Sequence, residues 1–476
     1  MKLYNTMSRQ IEELVPINPP TVKMYSCGPT VYDEPHVGNW SAYVYWDILV
    51  RALTLNGYKV ERVINLTDVG HLVSDADEGE DKLAKRANRD KVTAWEIADK
   101  YIASFMSGFR QLNLVEPIKF ARATDFIPEQ LEIIRQLKNL GLTYQISDGI
   151  YYNTAKLSDY GKLARLNIEN LKAGARVEYN PEKLNPTDFA LWKFSQEKRD
   201  MEWETPTDLL ESVDETPVMG FPGWHLECSA IIHTLLGEEI DIHTGGIDHI
   251  PIHHTNEIAQ MEPITKKPVA RFWLHNHHLK VDGTKISKSL GNGYVLTDLA
   301  QRGFSPIDFR MLVLQSHFQS EGNFSFDNLE AAANRLKRWR KFADLRHQIY
   351  QQTSDNPSNL LASKQHILNI INSNLDTPKA LTEIDQVFHQ LEELEPAQIN
   401  RPALTELIQF IDNLLGFDLI KKSPDIDDED KKLIKQREHA RAEQDYKKAD
   451  KIRNQLTKKG ILLDDKSENK TVWFYA

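Results

Sequence analysis

A chain of 476 residues with 41% apolar and 27% charged side chains has the composition of a globular protein of two to four domains. A net charge of −11 speaks against a protein coated in nucleic acid, though a local docking surface survives it. Two cysteines exclude a disulfide framework and suit a reducing compartment, where a thiol means a metal or catalysis. The N-terminal MKLYNTMSRQIEELVPINPP has no apolar core of signal-peptide length, and no run approaches a membrane span, so a cytoplasmic protein is expected.

TVKMYSC, ending at Cys27, reads as a short buried strand stopped by Gly-Pro. A helix is expected over 39–56, with Val44, Ile48, Ala52 and Leu55 on one stripe and Gly57 at its end. YKVERVINLTD then alternates as a strand. The unit is βαβ, implying a parallel sheet that binds ligands at its carboxyl edge. Helical patterning runs over 93–140, and an Asn- and Gly-punctuated region to about Met219 reads as an insertion. Sheet character returns at EEIDIHTGG. From about Asp327 to Leu415 the chain is patterned as helix; behind the acidic SPDIDDED come two charged helices and a β-like tail. Between Lys431 and Gly460 stand eleven Lys or Arg against four Asp or Glu, a basic face or a solvated helix surface.

Nine of the sixteen histidines fall between His225 and His278, together with Cys228. His253 and Glu257 in HHTNEIAQ are four apart and share one face of a helix, which suits an imidazole and a carboxylate on one ion. With Cys27 and Cys228 they would complete a four-coordinate zinc set, although sequence alone does not bring Cys27 to the others. In HVGNW, His36, Gly38 and Asn39 meet a helix N-terminus, where backbone N–H groups and the dipole attract phosphate. In DGTKISKSLGN, Lys285 and Lys288 sit in a Gly-flanked loop able to close over polyphosphate. HTGGIDH offers Gly246 for adenosine packing and Asp248 for ribose hydroxyls.

HVGN and KISKS resemble the HIGH and KMSKS motifs of class I aminoacyl-tRNA synthetases. MYSCGPTVYD, FPGWHLECS, DIHTGGIDH, HHTNEIAQ, LKAGARVE and NPTDFALWK resemble the cysteinyl-tRNA synthetase family in particular. The resemblance implies a Rossmann-type parallel-sheet α/β catalytic domain (1–115 and 220–265) with an inserted connective domain (116–219). It further implies a stem-contact region (266–325), a helical bundle (326–422) and a small mixed anticodon-binding domain (423–476). It implies ligation of L-cysteine to tRNA(Cys) through a cysteinyl-adenylate, with Mg²⁺ arriving on ATP. Cys27, Cys228, His253 and Glu257 would hold one zinc ion per chain that binds the substrate thiolate and rejects serine. Thr67 and Trp224 would line the amino-acid pocket, and Arg441, Asp450 and Asp465 would read the anticodon. A monomer without DNA or membrane partners is expected. The chain departs from the family with Asn39 for the second His of HIGH, Ile286 for Met and Thr255 for an acid; Asp75–Asp81 departs from the usual acidic run and is given no role. The alternative is a cysteine-activating ligase acting on an amino-sugar.

Overall fold

The computed structural model of the chain describes residues 1–69, 82–165, 180–211, 216–287, 290–348, 358–394, 398–466 and 470–476. An antiparallel hairpin of β1 (Lys2–Asn5) and β2 (Gln10–Glu13) precedes β3 (Thr21–Ser26), the strand expected before Cys27. Helix α1 (Val37–Leu55) starts two residues ahead of the expected Asn39, because His36 caps it: the His36 ring accepts from the Asn39 N–H and the Asn39 side chain accepts from the His36 N–H. Gly57, at φ +86°, ends it in the left-handed region and feeds β4 (Lys59–Leu66), which pairs in parallel with β3.

The helical stretch expected over 93–140 is broken by a strand. Helix α2 (Ala94–Gln111) is followed by β5 (Lys119–Arg122), parallel to β4, and then by α3 (Ile127–Asn139). Four residues are too few for a period to show, and tertiary contact decides: Arg122 Nε donates to the fully buried Asp68 across 2.8 Å. The inserted region builds a separate sheet from β6 (Thr143–Ile146), β7 (Gly149–Tyr152), β8 (Phe189–Phe194), β9 (Trp203–Glu204) and β10 (Met219–Pro222), antiparallel in the order β6-β7-β8-β10-β9. LKAGARVE, at 171–178, lies outside the described residues, as do Asp75–Asp81.

From β10 the chain passes through Gly223 into α4 (Leu226–Leu235), β11 (Ile240–Gly246), α5 (His253–Thr265) and β12 (Ala270–Asn276). A Cβ on Gly223 would stand 2.0 Å from the Ala190 carbonyl oxygen, so only glycine lets this turn lie against β8. The completed parallel sheet has the order β12-β11-β3-β4-β5. β3 neighbours β4 on one side and β11 on the other, so the direction of winding reverses between β3 and β11. The crevice at their carboxyl ends is where an open α/β sheet takes its ligands.

Beyond β12, β13 (Leu279–Val281) pairs with β14 (Gly322–Phe324) around α6 (Pro306–Leu314). Helices α7 (Phe326–Leu345), α8 (Ser358–Ile371), α9 (Thr377–Glu392) and α10 (Arg401–Leu415) follow. The junction of this bundle with the sheet is charged. Arg310 on α6, fully buried, donates to Asp47 of α1, to the Leu112 carbonyl at 3.1 Å and to the Leu415 carbonyl at 2.5 Å. Burial alone would raise the Asp47 carboxyl; Arg310 and Arg51 beside it lower it instead, to about 2.

The acidic SPDIDDED is partly helix. Asp427 caps α11 (Asp428–Ala442), and Asp428, Glu429 and Asp430 fill its first turn, where the helix dipole favours negative charge. Helix α12 (Tyr446–Lys458) and the antiparallel pair β15 (Ile461–Asp465) and β16 (Thr471–Tyr475) complete a small unit around Ile434, Leu456, Leu463 and Trp473. It docks on α7 and the residues after it: Gln348 exchanges two 2.6 Å hydrogen bonds with the Trp473 backbone, and Tyr475 N–H donates to Asp344 at 3.0 Å. No described helix is long and apolar enough to cross a membrane.

Candidate metal centre and active site

Cys27 leaves the carboxyl end of β3, its N–H donating to Thr244 of β11 at 3.0 Å. Cys228 is the third residue of α4, and His253 and Glu257 stand one turn apart on α5. The fold brings these four together, with one donor atom from each within 4.8 Å of every other. Cys228, His253 and Glu257 are 1%, 3% and 0% exposed. Thus the two cysteines, two hundred residues apart, meet between β3 and β11.

The donors fit a metal ion. Glu257 Oε1 is buried, lies 2.8 Å from His253 Nε2 and meets no other polar partner among the described residues, so a carboxylate oxygen and a ring nitrogen converge on one place. Burial would raise the Glu257 carboxyl, but His243 and His253 overcome it and hold it well below the usual range. Burial pushes the thiols of Cys27 and Cys228 upward, so both stay protonated until a cation takes up their charge. Two thiols, an imidazole and a carboxylate are a zinc-type set.

A second set, Cys27, His243, His254 and Glu257, satisfies the same distance. It shares two donors with the first, so the two sets compete for one ion. Hydrogen bonding favours the first. His243 Nε2 already binds Glu257 Oε2 at 2.6 Å, and His254 lies between Cys27 Sγ at 3.2 Å and His275 Nε2 at 2.8 Å. His225 Nδ1 meets His253 Nδ1 at 2.9 Å, which turns His253 Nε2 toward Glu257. The histidines outside the first set therefore orient its members. Sequence showed the histidine concentration but not this pairing, which needs β11, α4, α5 and β12 side by side. Burial, with His243 and His275 close by, pushes His254 well below the usual imidazole range.

Trp224 packs its ring 5.1 Å from that of His253, at the rim of the cluster. Thr67, at the end of β4, is 2% exposed; its hydroxyl donates to Glu227 at 2.7 Å and accepts from Asn65 at 2.9 Å. Glu227 and Asn65 were not singled out from sequence. Burial raises the Glu227 carboxyl to about 8.

The structure sets HVGN and KIS side by side. The Val37 N–H donates to the Tyr294 carbonyl at 2.8 Å, and a Cβ on Gly38 would lie 2.9 Å from the Ile286 side chain. Because His36 Nδ1 accepts the Asn39 N–H at 3.2 Å, the neutral ring carries its proton on Nε2. Asn39 Oδ1 accepts from the His36 N–H at 3.1 Å, leaving its NH₂ to donate. The Asn39 amide can thus offer a donor at the position where HIGH has its second imidazole. Lys285 is exposed in a loop that Asn292 closes; Lys288 lies outside the described residues. Asp248 is exposed beyond β11, with His278 Nε2 3.4 Å away, and a Cβ on Gly246 would meet only open space. At the far end Arg441 reaches Asp465 at 2.7 Å, Arg437 grips the same carboxylate with both nitrogens at 2.6 and 3.0 Å, and Asp450 is exposed on α12.

Among solved structures, Mycobacterium tuberculosis methionyl-tRNA synthetase in complex with methionyl-adenylate superposes with a TM-score of 0.59, over 84% of this chain and 92% of that one, at 16% identity. The architecture is that of a class I aminoacyl-tRNA synthetase. Residues 13–334 match the tRNA synthetases class I (C) catalytic domain, and 423–472 match the cysteinyl-tRNA ligase anticodon binding domain. Cysteine--tRNA ligase of Treponema denticola is 38% identical over 99% of both chains; cysteine--tRNA ligase 1 of Burkholderia lata is 40% identical over 100% of this chain and 97% of its own. The chain belongs to the cysteinyl-tRNA synthetase family.

Proposed function

We propose that this chain activates L-cysteine with ATP and transfers it to tRNA(Cys), and that Cys27, Cys228, His253 and Glu257 hold one zinc ion in its amino-acid pocket. The convergence of both cysteines with His253 and Glu257 at the sheet's switch point carries the reading. When bound, the ion supplies a soft, charged contact that stabilises a sulfur anion and gives an alcohol much less. Serine and cysteine are near-isosteres, and shape alone separates such a pair by only about 1–3 kcal/mol.

The remaining chemistry is positioning. The His36 Nε2–H, the Asn39 amide and the amino end of α1 bind ATP phosphate oxygens, while Gly38 lets them approach the backbone. Asp248 receives the ribose hydroxyls beside Gly246. Lys285 and Lys288 neutralise the departing pyrophosphate, and Mg²⁺ comes with the nucleotide. The cysteine carboxylate then attacks the α-phosphorus in line, and the 2′-hydroxyl of the terminal adenosine displaces AMP from the adenylate. Trp224 closes the pocket over the amino acid, with Thr67 at its floor. Arg441, Asp450 and Asp465 take the anticodon guanine, whose O6 and N7 suit a guanidinium and whose N1 and N2 hydrogens suit a carboxylate. The match to an anticodon domain over 423–472 favours tRNA over an amino-sugar as acceptor.

Cysteine-dependent ATP–pyrophosphate exchange, run with serine as competitor and with or without a zinc chelator, tests the reading. Exchange that needs cysteine and zinc and ignores serine is the expected result; undiminished exchange in zinc-stripped protein overturns the metal assignment.

A further inference from the structure

One buried carboxylate beside the metal donors has no part in the scheme above. Glu227 is 1% exposed, is not among the metal donors, and lies directly before Cys228. From it a single hydrogen-bonded line leads to the residue directly after Cys27. Gly28 N–H donates to Asn65 Oδ1 at 2.6 Å, Asn65 Nδ2 donates to Thr67 Oγ1 at 2.9 Å, and the Thr67 hydroxyl donates to Glu227 Oε1 at 2.7 Å. All donors run one way, so the amide orientation of Asn65 is fixed by the Gly28 N–H and the line ends on the carboxyl group. Asn65 and Thr67 are each 2% exposed, so water does not compete for these bonds.

The Cys27 end of the line is held firmly. A Cβ on Gly28 would stand 1.6 Å from the Asn65 carbonyl oxygen, so the backbone after Cys27 lies directly on the end of β4. Thr67 N–H donates to the Pro29 carbonyl at 3.0 Å and Val31 N–H to the Thr67 carbonyl at 3.1 Å. At the other end, α4 has no side-chain cap: its N-cap residue, His225, makes no capping hydrogen bond. Without a side-chain cap, the aim of this buried turn is set by what its own side chains hold. Glu227 and Cys228 are successive residues of that turn, so fixing the direction of one fixes that of the other.

We propose that Glu227 is a positioning residue that, through Thr67 and Asn65, sets the separation and aim of the Cys27 and Cys228 sulfurs. The inference rests on the zinc reading above and adds a member that donates nothing to the ion. It gives the Thr67 hydroxyl a task of its own, holding the two halves of the catalytic sheet in register at the metal centre.

The test uses the purified full-length chain, with zinc affinity measured by competition against a chromophoric chelator, the Co²⁺-substituted spectrum, and the melting temperature. Glu227→Ala should stay folded, bind zinc roughly 10–100-fold more weakly, as loss of a group that orients ligands does, and show altered thiolate-to-cobalt bands. Glu227→Gln keeps an acceptor in the same place and should lie within about threefold of wild type. Wild-type affinity and spectrum in Glu227→Ala, with only a lower melting temperature, overturn the proposal, because a merely structural role predicts that pattern. If Glu227→Ala does not fold, Thr67→Val, near in shape but without the hydroxyl, cuts the same line: loss of zinc supports the inference and full retention overturns it. A wild-type chain that takes up neither zinc nor cobalt refutes the metal reading first, and this inference with it.

Discussion

The metal cluster and the basic C-terminal unit are both built from charged groups, but their balance differs. Around Cys27, Cys228, His253 and Glu257 the donors converge; among the described residues only histidines answer the carboxylate, and one Glu257 oxygen has no polar neighbour but the His253 ring. Around Asp465 the carboxylate is more than answered: Arg437 and Arg441 share it, and the buried Arg437 Nε and Arg441 Nη1 go without a hydrogen bond among the described residues. The first arrangement is buried and short of positive charge, so its donors suit a cation. The second is half-open and its carboxylate is already engaged, so a nucleobase that takes Asp465 must replace a contact that already exists. Affinity at the first is therefore gained outright, whereas at the second it is a difference between two sets of hydrogen bonds.

The sharpest way to break the comparison is Cys228→Ser. If the cluster is incomplete without its ion, the variant loses zinc, and cysteine-dependent pyrophosphate exchange falls on the order of a thousandfold, while circular dichroism stays native. Normal zinc content with normal exchange would make the cluster an ordinary buried polar core. Next in size is Lys288→Ala, which should lower exchange roughly 100-fold without moving the melting temperature, since a lysine that neutralises pyrophosphate owes nothing to packing. An unchanged exchange rate removes that lysine from the reaction.

The same contrast explains what could be read from sequence. Two cysteines in 476 residues and nine histidines in a short stretch are improbable as solvated surface, so the candidate donors stood out by residue type, while joining Cys27 to the others took family likeness. Its supporting bonds did not: His225 to His253, His243 to Glu257 and Thr67 to Glu227 join residues that no local period relates. At the C-terminal unit Arg441 and Asp465 were named from family likeness, because an arginine on a charged helix looks like any other until β15 brings a carboxylate to it. Nothing pointed to Arg437, which is 3% exposed and grips Asp465 more fully than Arg441 does. In the fold, the βαβ start and the helical bundle followed from apolar periodicity. Strand β5 did not, because four residues carry no period and the strand exists through its pairing with β4.

Arg441→Ala should sharpen the comparison from the other side. Loss of a guanidinium that addresses a guanine edge costs about 1–3 kcal/mol, so kcat/KM for tRNA charging should drop about 10–100-fold while pyrophosphate exchange holds. Removing Arg441 also frees part of Asp465 from an existing contact, which places the effect toward the lower end. Equal loss in both assays would mean that the unit supports the whole fold rather than tRNA alone.

The smallest effect on activity is expected where the C-terminal unit meets the bundle. Asp344 is 1% exposed and receives the Tyr475 N–H at 3.0 Å; burial raises its carboxyl to about 6, against the lowering effect of that hydrogen bond. An unfolded Asp titrates near 3.9. Between about pH 4 and 6 the folded chain therefore holds a proton that the unfolded chain has released, and stability falls as pH rises through that window. Above it the contribution is constant and unfavourable, worth about 3 kcal/mol at most. Asp344→Asn removes this titration: over this range urea denaturation of the variant should fall less steeply with pH than that of wild type, and the variant should be the more stable protein at pH 8. Its tRNA charging at pH 8 should stay close to wild type, since Asp344 touches no substrate in the proposed scheme. A variant that keeps the wild-type slope would assign the pH dependence to another group and leave the docking of β16 on α7 independent of protons.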